Sequence, residues 1–394
     1  MTKNAIAKKT APRVAIVHDW LNGMRGGENV LEAIVELFPD APIFTLLHEK
    51  SKVSPAIEGR SIQTSFFQKL KLMRNNYRYF LPLMPFAIEQ FDFSEYDLIV
   101  SSSHCVAKGI KKRSDAVHIS YVHAPMRYMW DRFGDYFEKP SDSLAKKTIA
   151  KFFRPYLQKW DRNVTTLERV DFLISNSSFI SEQIFSIYGR TSTVVNPFVD
   201  LNRFKPISNP RRDFYLIFGA LAPYKRIDIA IRAFNELNLP LKIAGIGQDD
   251  KLLRALAGQS IEFLGGVDDN TAVELMQNAR GLVFPGLEDF GITPLEAMAC
   301  GTPVIAYDKG GVLDSVTCNT GLFFNNQNME SLMLAIREFE SEPNRFDPSD
   351  CRKQAEKFSR GRFQLEFSKA IADFFESKYG EKLGRDYIEN LALL

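Results

Sequence analysis

A short apolar run, Val14-Ala15-Ile16-Val17, leads into a loop with Gly23, Gly26 and Gly27, and then into Val30, Leu31, Ile34, Val35 and Phe38 at helical spacing. The change from a continuous apolar run to a 3.6-residue period predicts strand, loop and helix in that order. Further short runs at Leu98 to Val100, His118 to Val122 and Phe172 to Ser175 alternate with segments of helical spacing. This is the pattern of a parallel, doubly wound sheet. From Phe214 the rhythm restarts and tightens, with strands expected at Phe214 to Phe218, Leu241 to Ala244, Ile261 to Leu264, Gly281 to Phe284 and Val304 to Tyr307. The chain therefore reads as α/β, with two Rossmann-like arrays in series.

Length agrees with that division, because 394 residues exceed the roughly 250 to 300 at which one hydrophobic core stops growing. The seam is expected in the stretch Pro206 to Pro210, giving a polar tail at 1–12, a first domain at 13–205 and a second at 206–362. Charge narrows the partners: 50 Lys and Arg against 48 Asp and Glu leave a net charge of +2, too near neutral for nucleic acid as the main partner. Cys105, Cys300, Cys318 and Cys351 are too widely spaced for a zinc site, which fits a reduced, cytoplasmic protein. Residues 1 to 12 lack the apolar core of a signal peptide. The longest apolar stretch, Leu81 to Ile88, is interrupted by Pro82 and Pro85 and is too short to span a bilayer, so membrane contact is expected to be peripheral at most.

Ligands of doubly wound sheets bind outside the carboxyl ends of the strands, which directs attention to the loops there. After the strand ending at Phe284 come Glu288 in a loop and Glu296 seven residues beyond it. Thr293 and Pro294 look like the N-cap and first position of a helix. The amides around Phe290, Gly291, Ile292 and Thr293 would then form a site for an anionic phosphate. Spacing alone leaves a second reading of Glu296 open, as the partner of Thr293 in a capping box. Glu288 read alone is an ordinary loop acid. After the strand ending at Phe218, Lys225 and Arg226 place two cations at another strand end, suited to neutralising a diphosphate. Their plain reading is solvated charge.

In the first half, His123 follows a strand in Tyr121-Val122-His123-Ala124-Pro125-Met126-Arg127-Tyr128, where a lone histidine is otherwise a structural residue. Gly26 and Gly27 suit a tight turn by their conformational freedom. Gly245-Ile246-Gly247 lacks the third glycine of a dinucleotide fingerprint. No Asp-x-Asp pair occurs, so no metal is expected to carry a diphosphate.

The segment Pro285 to Val304, with Glu288, Glu296 and Ala297-Met298-Ala299-Cys300-Gly301-Thr302-Pro303-Val304, resembles the donor-site signature of glycosyltransferase family 4. His123, Pro125, Arg127 and Tyr128 resemble a subgroup of that family, and Gly26-Gly27-Glu28, Ser175-Asn176-Ser177-Ser178 and Val199-Asp200 match further landmarks. The resemblance runs from Arg13 to about Phe375. It implies the GT-B fold, two Rossmann-like domains facing across a cleft, with helices at about 363–380 returning to the first domain and a tail at 381–394. It also implies retaining transfer of a sugar from a nucleotide diphosphate donor.

On that resemblance Glu288 reaches sugar hydroxyls, Glu296 the ribose, Lys225 the diphosphate and His123 the donor sugar, while Gly26 and Gly27 lie near the phosphates. The family usually has Arg where this chain has Ala220, and Arg226 is the candidate replacement. His123 with Pro223 to Arg226 looks like the mannosyltransferases of O-antigen and exopolysaccharide assembly. That implies GDP-mannose as donor, a glycan or lipid-linked glycan as acceptor, and no cofactor.

Three rivals remain open: a GT-B epimerase, a nucleotide-sugar-binding protein without activity, and a glycosidase. The last needs carboxylates flanking the bond, whereas Glu288 and Glu296 share one strand–helix junction. Two basic, aromatic stretches complete the reading. Residues 60 to 88 suit an anionic membrane surface at the inner face of the membrane, and the competing reading is a soluble acceptor with these aromatics packed within the domain. In residues 146 to 162, core packing of Ile149, Phe152, Phe153, Tyr156, Leu157 and Trp160 with a solvated basic rim is expected.

Overall fold

A computed structural model of the chain describes residues 12–138, 143–342 and 344–381. The expected tails at 1–12 and 381–394 fall outside these residues, apart from Pro12 and Glu381. The chain forms two compact units, residues 1–195 with 364–394, and residues 196–363. The division thus falls before Pro206, because Val199 and Phe204 are buried in the core of the second unit.

The first unit holds a sheet of β1 (Val14–His18), β2 (Ile43–Thr45), β3 (Ile62–Thr64), β4 (Leu98–Ser103), β5 (Val117–Val122), β6 (Phe172–Ser175) and β7 (Thr193–Val194). Their spatial order is β3-β2-β1-β4-β5-β6-β7, and every neighbouring pair is parallel. The inner strands are buried along both faces, which is why they read as unbroken apolar runs. Its longer helices are α1 (Gly26–Leu37), α2 (Leu144–Asn163) and α3 (Ser178–Tyr188). Ser177 accepts a bond from the Ile180 amide and caps α3, a structural account of one of the family landmarks.

The second unit has β8 (Phe214–Phe218), β9 (Leu241–Ala244), β10 (Ile261–Gly265), β11 (Ala279–Phe284), β12 (Val304–Tyr307) and β13 (Gly321–Phe324) in the order β10-β9-β8-β11-β12-β13. Its helices are α4 (Ile227–Leu237), α5 (Asp250–Leu256), α6 (Asp269–Asn278), α7 (Ile292–Ala299), α8 (Met329–Ser341) and α9 (Pro348–Glu356). The last helix, α10 (Arg360–Tyr379), begins in the second unit and from Gln364 belongs to the first. There Gln364 donates to the Ala33 carbonyl, Phe367 lies 6.2 Å from the Tyr121 ring, and Phe374 stacks on Phe172 at 5.0 Å.

Two expectations about packing are corrected. Residues 146 to 162 bury only part of the expected face: α2 buries Ala150, Leu157 and Asp161 and packs Phe153 and Trp160 against the core, while Ile149, Phe152 and Tyr156 are exposed. A buried ion pair adds to this packing, with Lys108 Nζ 2.6 Å from Asp161 and both side chains fully buried. Trp130 and Tyr188 also donate to Asp161, at 2.7 and 2.6 Å. Gly26 and Gly27 form the first turn of α1 rather than a tight turn of positive φ.

Candidate functional site

In each sheet the strand order reverses at one point, β1 beside β4 in the first and β8 beside β11 in the second. Chain connections leave in opposite directions there, so the loops part and leave a crevice at the carboxyl ends. Both groups of expected residues occupy these positions. Lys225 follows β8 and Glu288 follows β11.

The two meet directly. Lys225 Nζ lies 2.5 Å from Glu288 Oε1, with only 15% and 17% of the side chains exposed. Backbone approach makes this possible, since a Cβ at Gly286 would stand 2.9 Å from the Lys225 Cα and 3.0 Å from the Tyr224 carbonyl oxygen. The Glu288 loop is held from its other side by Gly310 and Gly311. The Gly311 amide donates to the Glu288 carbonyl at 2.9 Å, and a Cβ on Gly311 would be 2.1 Å from the Asp289 carbonyl oxygen. Gly310 has φ of 93°, a conformation that glycine takes without penalty.

The helix after this loop starts earlier than expected. Gly291, at φ of 90°, is the N-cap of α7, and no side chain caps it. Thr293 and Pro294 therefore sit inside the first turn, and the capping-box reading of Glu296 is corrected, because it lies two residues beyond the third helical position that a capping box requires. Ile292, Thr293 and the Gly291 cap instead present a helix start with no side-chain acceptor from its cap, where backbone donors and the dipole favour an anion. The Phe290 side chain points elsewhere, buried in the core near Phe358. Burial pushes the Glu296 carboxyl up to about 7, against the pull of Arg203 and Lys225.

Arg226 takes a left-handed conformation, φ 48°, and its guanidinium binds Asp228 at 3.1 and 3.3 Å. It is 39% exposed and shares its charge with that carboxylate. Ala220 is exposed at the end of β8. The glycines of Gly245-Ile246-Gly247 are explained by packing. A Cβ on Gly245 would lie 1.8 Å from the Gly219 carbonyl oxygen, and one on Gly247 would lie 2.2 Å from that of Leu221. They let the loops after β8 and β9 touch.

In the first unit, His123 follows β5 and its Nε2 bonds Ser102 Oγ at 2.8 Å, while His18 Nδ1 reaches the same hydroxyl at 3.2 Å. Gly27 is close: a Cβ there would be 3.9 Å from the His123 ring. Burial, with His104, His18 and Arg127 nearby, holds the His123 imidazole well below its usual value, so it is neutral near pH 7. Behind it, Asp19 accepts from the amides of His104, Cys105, Val106 and Ala107 at 2.5 to 3.0 Å and pairs with His104 Nδ1 at 3.1 Å. Burial raises the Asp19 carboxyl, but His104, His18 and those amides outweigh it and leave it below the usual range.

Sequence reasoning missed Asp19, His18, Ser102 and His104. The available signal was position: His18 and Asp19 end β1, and Ser102 and His104 end β4, the two strands at the switch point. Gly310 and Gly311, just beyond β12, carried the same signal.

Residues 198–358 match the family described as glycosyl transferases group 1. Over 216 residues the chain is 30% identical to the GDP-mannose-dependent alpha-(1-6)-phosphatidylinositol dimannoside mannosyltransferase of Mycobacterium tuberculosis, a match covering 50% of this chain and 56% of that protein. It thus spans little more than half that relative's length. It is 26% identical to the O-antigen chain mannosyltransferase C of Escherichia coli over 262 residues, 60% of this chain and 68% of the other. In fold it is similar to Anabaena Alr3699/HepE, solved in complex with UDP-glucose, with a TM-score of 0.67 at 17% identity over 91% of this chain and 99% of that one. Its two parallel-sheet, Rossmann-like units are those of the GT-B fold. Residues 198–358 of this chain are a glycosyl transferases group 1 domain.

Proposed function

We propose that this chain is a retaining glycosyltransferase that moves mannose from GDP-mannose to a glycan or lipid-linked glycan, without a metal ion. The observation that carries the reading is the Lys225–Glu288 pair at the switch point of a group 1 domain, next to the Gly291-capped start of α7. A cation and an open helix start suit a diphosphate. Carboxylates suit hydroxyls, because each oxygen accepts from a sugar or ribose.

In this reading Glu288 holds sugar hydroxyls and Glu296 the ribose. Lys225 and the amides of Gly291, Ile292 and Thr293 bear the charge that develops on the leaving diphosphate, which is where stabilisation accelerates transfer. Arg226 assists at a distance, its charge shared with Asp228. His123, in the first unit, is assigned to a hydroxyl of the donor sugar, its ring oriented by Ser102. The choice of GDP-mannose is supported by the name of the mycobacterial relative, and the choice of mannose and of the acceptor class by that name and the Escherichia coli one.

The test is donor hydrolysis without acceptor, comparing GDP-mannose, UDP-glucose and UDP-N-acetylglucosamine. GDP-mannose is expected to turn over fastest, and Glu288→Ala to lower the rate while leaving nucleotide affinity nearly intact. Preference for a UDP sugar overturns the donor. A second reading, a nucleotide-sugar-binding protein without activity, is favoured by the exposed Ala220 and the engagement of Arg226 with Asp228. Binding of GDP-mannose with no turnover in either hydrolysis or transfer selects it.

A further inference from the structure

We infer that the first unit carries a docking face for an anionic lipid bilayer, assembled from residues 69–86 and helix α2. The two stretches are far apart in sequence, yet Tyr79, Pro82 and Leu83 from one and Phe152, Phe153 and Tyr156 from the other line a single open groove of about 540 Å³. Large apolar side chains stand exposed along both: Tyr79 at 78% and Phe152 at 76%, with Leu72, Phe86, Leu144 and Ile149 each above half. Monomeric soluble proteins rarely leave so many apolar groups together in water.

The exposure is not that of a loosely held helix. Asp161 anchors α2 through Lys108, Trp130 and Tyr188, and Arg154 and Gln158 donate to the Met129 carbonyl at 3.0 and 2.9 Å. A rigid helix thus presents Phe152 and Tyr156 outward.

Charge selects the occupant. From Lys69 to Phe86 the chain has four cations, Lys69, Lys71, Arg74 and Arg78, and no carboxylate. From Leu144 to Trp160 it has five more, Lys146, Lys147, Lys151, Arg154 and Lys159, again with no carboxylate. Nine cations are concentrated there on a chain whose net charge is only +2. Some are engaged, Lys151 with Glu138 at 3.1 Å and Arg154 with backbone carbonyls, but Lys71 and Lys159 are exposed. A second copy of this face would bring like charges together. An anionic bilayer surface answers both features, taking the aromatic and aliphatic groups into the acyl boundary and pairing headgroup phosphates with Lys and Arg. The inference goes beyond the donor reading, and it places the chain where a lipid-linked acceptor resides.

The experiment is sedimentation of the full chain with vesicles of phosphatidylglycerol and phosphatidylcholine, against phosphatidylcholine alone, at low and physiological salt. Anionic vesicles are expected to bind about tenfold more tightly, the difference shrinking with salt. Lys71→Ser with Lys159→Ser should lose about fivefold per charge. Tyr79→Ser with Phe152→Ser should lose about tenfold at both salts while the unfolding temperature is unchanged, because both side chains are exposed. The inference is overturned by absence of binding to anionic vesicles at low salt, or by wild-type binding in the Tyr79→Ser, Phe152→Ser variant. Concentration-dependent self-association that the same variant abolishes would assign the face to a second copy and also overturn it. Sedimentation needs neither donor nor acceptor, so its failure leaves the transferase reading standing, and the converse holds.

Discussion

At the residue scale, Lys225 carries two duties that a single substitution exposes. It pairs with Glu288, and it is assigned to the diphosphate. Lys225→Ala is expected to weaken nucleoside diphosphate binding by about 1.5 to 3 kcal/mol and nucleoside binding far less, by calorimetry. Arg226→Ala should cost less, since Asp228 already shares that charge. Equal losses for diphosphate and nucleoside in Lys225→Ala would mean that only the loop had been disturbed. Glu296 adds a pH dependence. Its folded-state value of about 7 lies above the ordinary 4.5, so the folded chain holds a proton the unfolded chain has lost. Its contribution to stability therefore falls as pH rises from about 4.5 to 7, and is constant above. Ribose hydroxyls need the ionised form as acceptor, so nucleotide affinity is expected to rise between about pH 6 and 8 more steeply than in Glu296→Gln. The glutamine variant controls for the titration of the phosphate itself. Identical slopes would remove Glu296 from the ribose.

At the element scale, helices are positioned by polar groups as well as by apolar stripes. Helix α2 packs Ala150, Phe153, Leu157 and Trp160 against the core and adds the buried pair of Asp161 with Lys108. Asp161→Asn leaves the Lys108 ammonium buried without its counter-ion, and breaking such a pair costs about 3 to 5 kcal/mol. A lower midpoint in denaturant with an unchanged slope is the expected result. An unchanged midpoint would show that α2 is held by its flanks. Helix α7 starts at Gly291 because β12 is followed by Gly310 and Gly311, whose missing side chains leave room for the Glu288–Phe290 backbone. That is tertiary information, and it displaced the local preference of Thr293 and Pro294 for the helix boundary.

For the whole molecule, the two units share one design, with the sheet order reversing beside the strand that opens each unit. Lys225 and Glu288 fall at the reversal in the second unit, and Gly26 and Gly27 follow β1 at the reversal in the first, while His123 follows β5, the strand beyond it. Among the described residues no helix is long and apolar enough to cross a membrane. The proposed transfer uses Lys225 and a helix start to bear charge, so turnover is expected to survive EDTA. Complete loss, restored by magnesium or manganese, would assign that charge to a metal.

Most of the strands were legible because a parallel strand buried on both faces must be apolar throughout. Phe172–Ser175, Phe214–Phe218, Leu241–Ala244 and Val304–Tyr307 lie where the runs place them. Ile43–Thr45, Ile62–Thr64, Thr193–Val194 and Gly321–Phe324 were not read. They are short and lie at or next to a sheet edge, with Thr193 and Val194 exposed, so periodicity had little to register. Glu288, Glu296, Lys225 and His123 could be singled out because each follows a strand in a recognisable order of residues. Sequence alone thus determined the fold class, and it singled out the strand-end loops that are candidates for chemistry, since both follow from local pattern. Only the tertiary structure decided that Lys225 faces Glu288, that Arg226 turns to Asp228, that Ser102 bonds His123, and that Phe152 and Tyr156 of α2 face water while Phe153 and Trp160 pack inward. Those facts depend on which loops the sheets bring together, and no spacing along one chain encodes that.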